Sequence, residues 1–211
     1  MRPLALAVLI VLVSASCGVA RQGAPVIVQP GAPGEASREI TATAAIGVAT
    51  AVATAADVRF MQGMIGHHAQ ALEMTALLPS RTGRADMRLL AQRIELSQAD
   101  EIKFMERWLE TRGQGVPDSH AHHMPNAVLM PGMLTQQEMA RLTAAAGADF
   151  DRLFLEFMIK HHDGALIMVN DLFMTDGAGQ EAELFAFASD VDTDQRIEID
   201  RMSALLRELT K

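Results

Sequence analysis

Two stretches decide the fold of this chain: FMQGMIGHHAQALEM, Phe60–Met74, and FLEFMIKHHDGALIM, Phe154–Met168. Both read Phe-x3-Met-Ile-x-His-His-x2-Ala-Leu-x-Met, and an Asp precedes each Phe by three residues (Asp57, Asp151). A pattern that occurs twice predicts two similar halves carrying the same side chains. The sequence therefore predicts a repeated domain with a methionine and histidine cluster in each half.

The regions around the two stretches favour helices. Apolar residues at three-and-four spacing predict helices with approximate limits 54–78, 84–111, 135–145, 149–173 and 179–209. The third begins at the capping box Thr135–Glu138. Two partner helices also share a pattern, since Gln98-x2-Glu101-Ile102-x2-Met105 returns as Gln195-x2-Glu198-Ile199-x2-Met202. We predict an all-α four-helix bundle over 54–211, built from two repeated helical hairpins, about 54–115 and 135–211.

The first 20 residues are typical of an export signal. Arg2 precedes the apolar run Leu4–Val13, which is too short to span a membrane. Two processing routes fit: lipid attachment at Cys17, the only cysteine, or simple cleavage after Ala20. Residues 21–53, rich in Pro, Gly and Ala, are predicted to be a tether. We expect a periplasmic or cell-surface protein, with lipid anchoring to a membrane as one alternative.

Methionine and histidine share one side of each predicted central helix. Asp57, Met61, Met64 and His68 are spaced by three or four residues. The second copy keeps these offsets with Asp151, Met158 and His162, but has Leu155 where the first has Met61. Adjacent histidines project about 100° apart, so we expect one of each pair to face the interior and the other the flank. His68 and His162 lie on the apolar stripe and are the expected inward pair.

Thioether and imidazole together favour a soft metal ion. Cu(I) accepts neutral sulfur and nitrogen ligands, whereas oxygen ligands suit harder ions. Copper as Cu(I) is therefore preferred to Cu(II), and zinc is a weaker candidate. The competing interpretation is structural: methionines fill irregular core gaps, a buried histidine bonds a carbonyl or carboxylate, and the two Asp residues start helices.

Further candidates surround these positions. A short His-rich tract with a methionine, His120, His122, His123 and Met124, is a candidate auxiliary capture site. On the partner helices, Gln98, Glu101, Gln195 and Glu198 are candidates either for coordination or for hydrogen bonds that orient the imidazoles. Met105 and Met202 belong to the same two patterns and complete this secondary set.

Several function classes lack their residues. The net charge of −8 argues against nucleic-acid binding, because the chain has no excess of basic residues to contact phosphates. No Glu is followed by His three residues later, as a carboxylate-bridged di-iron bundle requires. The sequence also lacks a His-Glu-x-x-His zinc helix and a Gly-rich phosphate loop. We therefore expect a binding protein and no enzyme.

The repeated motif and Met130-Pro131-Gly132-Met133 resemble the family described as domain of unknown function 305. The resemblance covers about residue 57 to the end and implies a ferritin-like, exported, all-helical domain. Some members are similar to copper-binding proteins that support copper tolerance. Carried over by position, the resemblance implies one ligand set, Met64, His67, His68, Met74, Met158, His161, His162 and Met168.

The function expected from the sequence is copper binding for buffering, tolerance or delivery. Delivery would require a copper-carrying partner protein. Two alternatives stay open: a helical envelope interaction protein without metal, and a metal-dependent oxidoreductase.

Overall fold

The computed structural model describes residues 26–31, 34–49, 52–124 and 127–209. Four long helices and three short ones make up nearly all of its regular structure. Their bounds are α1 Ala42–Ala49, α2 Ala55–Thr75, α3 Leu78–Arg81, α4 Ala85–Thr111, α5 Gln136–Ala144, α6 Gly147–Met174 and α7 Ala182–Leu209. The all-α, ferritin-like prediction is confirmed.

The bundle consists of two hairpins, α2 with α4 and α6 with α7, which join through α2 and α6. Helix α2 begins at a capping box, in which Thr54 and Asp57 each accept a hydrogen bond from the other's backbone N–H. The predicted capping box at Thr135 is also present, and it starts α5. Within the described residues, no helix is both long and apolar enough to cross a membrane.

Two helix boundaries differ from the predictions by three residues. Helix α2 ends at Thr75 rather than Leu78, and a separate turn, α3, follows because Pro79 lies at its start. Helix α7 begins at Ala182 rather than Gly179, since Gly179 has a left-handed φ of 67°. The backbone N–H of Gly179 instead donates to Asp57, at 2.7 Å.

The predicted tether, residues 21–53, contains more structure than we expected. Strands β1 Ile27–Gln29 and β2 Arg38–Ile40 form an antiparallel hairpin, with Ile27 opposite Ile40. The β-branched residues at both strands favour this pairing over an extended linker. Helix α1 follows. The predicted signal segment, 1–20 with Cys17, lies outside the described residues.

Two apolar clusters fill the bundle, one on each side of a buried polar layer. One cluster joins the first half of α2 to the second half of α6, and the other joins the second half of α2 to the first half of α6. This pairing shows that α2 and α6 run antiparallel. Between the clusters lie the polar residues His67, His68, Gln98, Glu101, His161, His162, Gln195 and Glu198.

The connection from α4 to α5 closes the bundle over this layer. Gln70 of α2 pairs with the backbone of Leu134, donating to its carbonyl at 3.0 Å and accepting from its N–H at 2.6 Å. Gly132, at φ 76°, packs directly on Gly164 of α6. A Cβ on Gly164 would lie 2.6 Å from the Cα of Gly132 and still closer to the Pro131 carbonyl. Glycine at both positions therefore brings that carbonyl into the core.

Candidate metal centre

Four imidazoles occupy the centre of the bundle. His67 and His68 of α2 and His161 and His162 of α6 are all fully buried. The rings of His67 and His161 lie 3.8 Å apart between centroids, where α2 meets α6. His68 turns toward α4, and His162 turns toward α7.

The prediction that one histidine of each pair faces the flank is therefore wrong. A helix inside a four-helix bundle has two neighbours, one in its own hairpin and one in the other hairpin. Adjacent side chains about 100° apart can each face one of these neighbours. Both members of a pair are interior for this reason.

Three of the four rings are held at Nε2. His67 Nε2–H donates to the Pro131 carbonyl at 3.0 Å. His68 donates to Glu101 at 2.5 Å, and His162 donates to Glu198 at 2.6 Å. These carboxylates occupy equivalent places on α4 and α7, so the two hairpins repeat the same His–Glu contact. Of the alternatives left open for the two Glu residues, the structure shows the hydrogen bond to imidazole.

The other ring nitrogens are left without a partner. Among the described residues, no hydrogen bond reaches Nδ1 of His67, His68, His161 or His162, and none reaches Nε2 of His161. A buried polar atom without a partner costs about 1–3 kcal/mol. A neutral imidazole that donates through Nε2 keeps a lone pair on Nδ1, which is the state that binds a metal ion.

The surroundings keep the central pair neutral. Burial and the neighbouring His68 lower the pKa of His67 to about 3, although the hydrogen bond to Pro131 opposes the shift. Burial, followed by the charge of His67, lowers the pKa of His161 well below its ordinary value. Both rings are therefore unprotonated near neutral pH, with lone pairs available.

The methionines lie on both sides of the imidazole layer, and they are grouped differently from the prediction. One apolar cluster contains Met61, Met64, Met105 and Met168. The other contains Met74, Met87, Met158 and Met202. Each cluster combines methionines from both repeats, because α2 and α6 run antiparallel. Met64 and Met74 flank the same His pair in sequence, but they lie in different clusters.

One repeat therefore cannot place both of its methionines on one ion. Ten residues of helix separate Met64 from Met74, which is roughly 15 Å along the axis. The apolar clusters group the methionines across the helices instead: Met64 and Met168 belong to one cluster, and Met74 and Met158 belong to the other. Along their own helices, Met64 and Met158 stand about one turn from the nearest histidine, and Met74 and Met168 stand about two turns away.

Four other candidates have different surroundings. Asp57 caps α2 and accepts from Gly179, so its carboxylate is occupied at the end of the bundle. Asp151 is buried, and it precedes His161 by ten residues, roughly 15 Å of helix. Neither Asp reaches the imidazole layer. Gln98 and Gln195 do lie in this layer, and their side-chain oxygens have no hydrogen-bond partner among the residues described.

The loop histidines meet a residue that the sequence analysis did not single out. Glu73 of α2 accepts from His120 Nδ1 at 3.0 Å and from His123 Nε2 at 2.8 Å. His122 Nε2 lies 3.4 Å from the same oxygen, whereas Met124 is 65% exposed. The available signal was a departure from the repeat, since Glu73 stands where the second copy has Ile167.

Met130 is a second residue that the sequence analysis did not propose as a ligand. Its Sδ lies beside Gly63, 3.2 Å from where a Cβ would stand, and the Met168 methyl group lies 3.4 Å from the same point. Gly63 is one turn before His67. The Met-Pro-Gly-Met motif therefore brings a further thioether to the Met64–Met168 side of the layer.

Comparisons with known proteins agree with this architecture. The model of a family described as Domain of unknown function (DUF305) matches residues 57–206. A DUF305 fragment from Deinococcus radiodurans is 35% identical, with a TM-score of 0.63, over 74% of this chain and 98% of that one. A candidate secreted DUF305 protein from Streptomyces coelicolor is 30% identical, with a TM-score of 0.63, over 74% and 94%.

A third similar structure contains copper. CopM in a Cu(II)-bound form is 26% identical, with a TM-score of 0.60, over 72% of this chain and 96% of that one. CopM is also known in Cu(I)-bound and Ag-bound forms. No curated protein matches the chain.

Proposed function

Because the chain belongs to the DUF305 family, we propose that it is an exported protein that binds Cu(I) through the buried imidazoles and the thioethers beside them. The observation that carries the proposal is the set of buried Nδ1 atoms without hydrogen-bond partners among the described residues. A soft cation would satisfy these nitrogens, and methionine sulfur is available on both sides of them.

The charges of the site support the monovalent ion. The central imidazoles are neutral, and thioethers carry no charge. Glu101 and Glu198 already accept hydrogen bonds from imidazole Nε2 atoms and orient the rings. Neutral nitrogen and sulfur ligands stabilise Cu(I) relative to Cu(II) and disfavour harder ions.

Binding without turnover is part of the proposal. The four imidazoles are fully enclosed in the bundle, and the sequence lacks the His-Glu-x-x-His zinc helix and the Gly-rich phosphate loop of catalytic sites. A buried site of this kind suits copper buffering or transfer to a copper-carrying partner. The apolar run Leu4–Val13 and the candidate secreted relative support action outside the cytoplasm.

The direct test is a competition titration with Cu(I) and with Zn(II) under reducing conditions. We expect the purified protein to bind Cu(I) more tightly than Zn(II), and the variant His67→Gln/His161→Gln to lose most of its Cu(I) affinity. Met124→Leu is the control, since this methionine is exposed and belongs to neither apolar cluster. Equal affinity for Zn(II), unchanged in the double variant, would remove the proposal.

Met→Leu pairs test how the thioethers are grouped. Met64→Leu and Met168→Leu should be non-additive in their effect on Cu(I) affinity, because both sulfurs would serve one ion. Met64→Leu and Met74→Leu should be additive, because these residues lie in different clusters. Double-mutant cycles measured by the same competition assay give both values. Additive effects of Met64→Leu and Met168→Leu, together with non-additive effects of Met64→Leu and Met74→Leu, would instead indicate that the methionines of one repeat bind the same ion.

A further inference from the structure

A second side-chain cluster lies outside the imidazole layer, where the loop after α4 folds back on α2. Glu73, His122 and His123 place one ligand atom each within 4.8 Å of one another. Among the described residues, no other group of three or more His, Cys, Asp or Glu side chains meets this distance. His120 adds a hydrogen bond to Glu73 from the rim of the cluster.

His122 Nε2 and Glu73 Oε1 are two acceptor atoms that face each other. His122 Nδ1–H donates to the Ser119 carbonyl at 3.1 Å, so the lone pair of the neutral ring is on Nε2. That nitrogen is buried, has no hydrogen-bond partner in the part of the chain described, and lies 3.4 Å from Glu73 Oε1. A lone pair facing a carboxylate oxygen is stabilised when a cation lies between them.

The carboxylate of Glu73 lies between imidazoles. It accepts hydrogen bonds from His120 Nδ1 at 3.0 Å and from His123 Nε2 at 2.8 Å, so it offers a cation an oxygen ligand whose position is already fixed. His123 is half exposed, so its proton can shift to Nδ1 when Nε2 binds a metal ion.

The donor set differs from that of the core. It consists of imidazole nitrogen and carboxylate oxygen, with no thioether among the three converging side chains. Such ligands suit divalent ions of the Zn(II) and Cu(II) class, and Cu(II) binds most tightly in the general order of divalent metals. In the second repeat, the position of Glu73 is occupied by Ile167, 50% exposed, whose side chain offers no ligand atom.

We propose that Glu73, His122 and His123 form a separate site for divalent copper, with His120 positioning the carboxylate. The site stands on its own geometry and does not depend on Cu(I) binding in the core. Together the two centres would let one protein hold copper in both oxidation states, Cu(II) at the loop and Cu(I) inside the bundle.

Cu(II) titration followed by electron paramagnetic resonance tests the site. We expect one Cu(II) ion per protein, with hyperfine coupling to imidazole nitrogen. Glu73→Gln and the double variant His122→Asn/His123→Asn should each weaken Cu(II) binding at least about tenfold, since even the loss of a residue that only hydrogen-bonds a ligand costs about 10–100-fold. Glu110→Gln, an exposed carboxylate outside the cluster, is the matched control and should leave binding unchanged.

A core variant separates this proposal from the previous one. His67→Gln/His161→Gln should keep the Cu(II) spectrum while losing Cu(I) affinity. Glu73→Gln should keep the Cu(I) affinity while losing the Cu(II) signal. A Cu(II) spectrum that is unchanged in both Glu73→Gln and the loop double variant would overturn the proposal. So would a Cu(II) signal that disappears only when the core imidazoles are replaced.

Discussion

His68 and His162 show how one carboxylate decides which imidazole nitrogen can bind metal. Each ring donates Nε2–H to a Glu on the neighbouring helix, at 2.5 Å for Glu101 and 2.6 Å for Glu198. The carboxylate fixes the tautomer and the ring orientation, and it leaves the lone pair on Nδ1. His67 reaches the same state through the Pro131 carbonyl. Three rings thus donate Nε2–H to three different acceptors, and each keeps its Nδ1 lone pair for a metal ion.

The residue-scale prediction concerns Glu101. Glu101→Gln should lower Cu(I) affinity roughly 10–100-fold, because the amide can present NH₂ to the ring and orients it less strongly than a carboxylate does. Competition titration measures the change, and Glu110→Gln serves as the control. A variant with full affinity would show that His68 does not depend on this contact.

Helix α6 is joined to the loop before α5 by two glycines. Gly164 and Gly132 pack backbone against backbone, so the Pro131 carbonyl can enter the core and meet His67. Both repeats keep Ala and Leu after the His pair, but only the second has Gly at this point, where the first has Gln70. Gln70 instead pairs with Leu134 from the other side of the loop. The loop is therefore held from both central helices.

The element-scale prediction compares two helical glycines. Gly164→Ala should destabilise the protein by about 3 kcal/mol, since the added Cβ meets backbone atoms that cannot move independently. Gly66→Ala is the matched control: its Cβ would meet only the Ser119 carbonyl, at 3.9 Å. This change should raise stability by about 0.5–1 kcal/mol, because alanine favours a helix. Urea unfolding of both variants measures the change in the free energy of unfolding, which should be a decrease for Gly164→Ala and an increase for Gly66→Ala. Destabilisation of equal size at both sites would contradict this account.

The whole molecule encloses a polar layer between two apolar clusters. In the unfolded chain, imidazoles take up protons below about pH 6.5. In the fold, burial and neighbouring histidines keep His67 and His161 neutral to much lower pH. Glu101 and Glu198 face the outer pair rather than the central one. The metal-free fold therefore loses stability in acid, because His67 and His161 gain protons more readily in the unfolded chain than in the fold.

The prediction at this scale is a loss of stability in acid. The folded pKa of His67, about 3, is below its unfolded value, so its contribution is complete above pH 6.5 and decreases as pH falls toward 3. The slope from one such group reaches about 1.4 kcal/mol per pH unit. Chemical unfolding of the metal-free protein between pH 7 and 4 measures it. In His67→Gln, the slope of the unfolding free energy against pH should be smaller by about this amount. Equal slopes in the variant and the wild-type protein would contradict the lowered pKa of His67.

The sequence by itself determined the helices, the repeat and the residue types of the candidate site. These follow from local spacing: three-and-four periodicity gives amphipathic helices, and the doubled Met-Ile-x-His-His pattern gives two equivalent faces. The thioether and imidazole composition indicated soft-metal chemistry before any contact was known.

Only the tertiary structure decided which of these residues meet. Because α2 and α6 run antiparallel, Met64 and Met168 share one apolar cluster and Met74 and Met158 share the other, although Met64 and Met74 are close in sequence. The return of the loop brings Glu73 to the loop histidines and Pro131 to His67. The spacing within one helix determines which residues share a face of that helix. Which residues of other helices contact that face depends on how the helices pack, and no local sequence pattern specifies this packing.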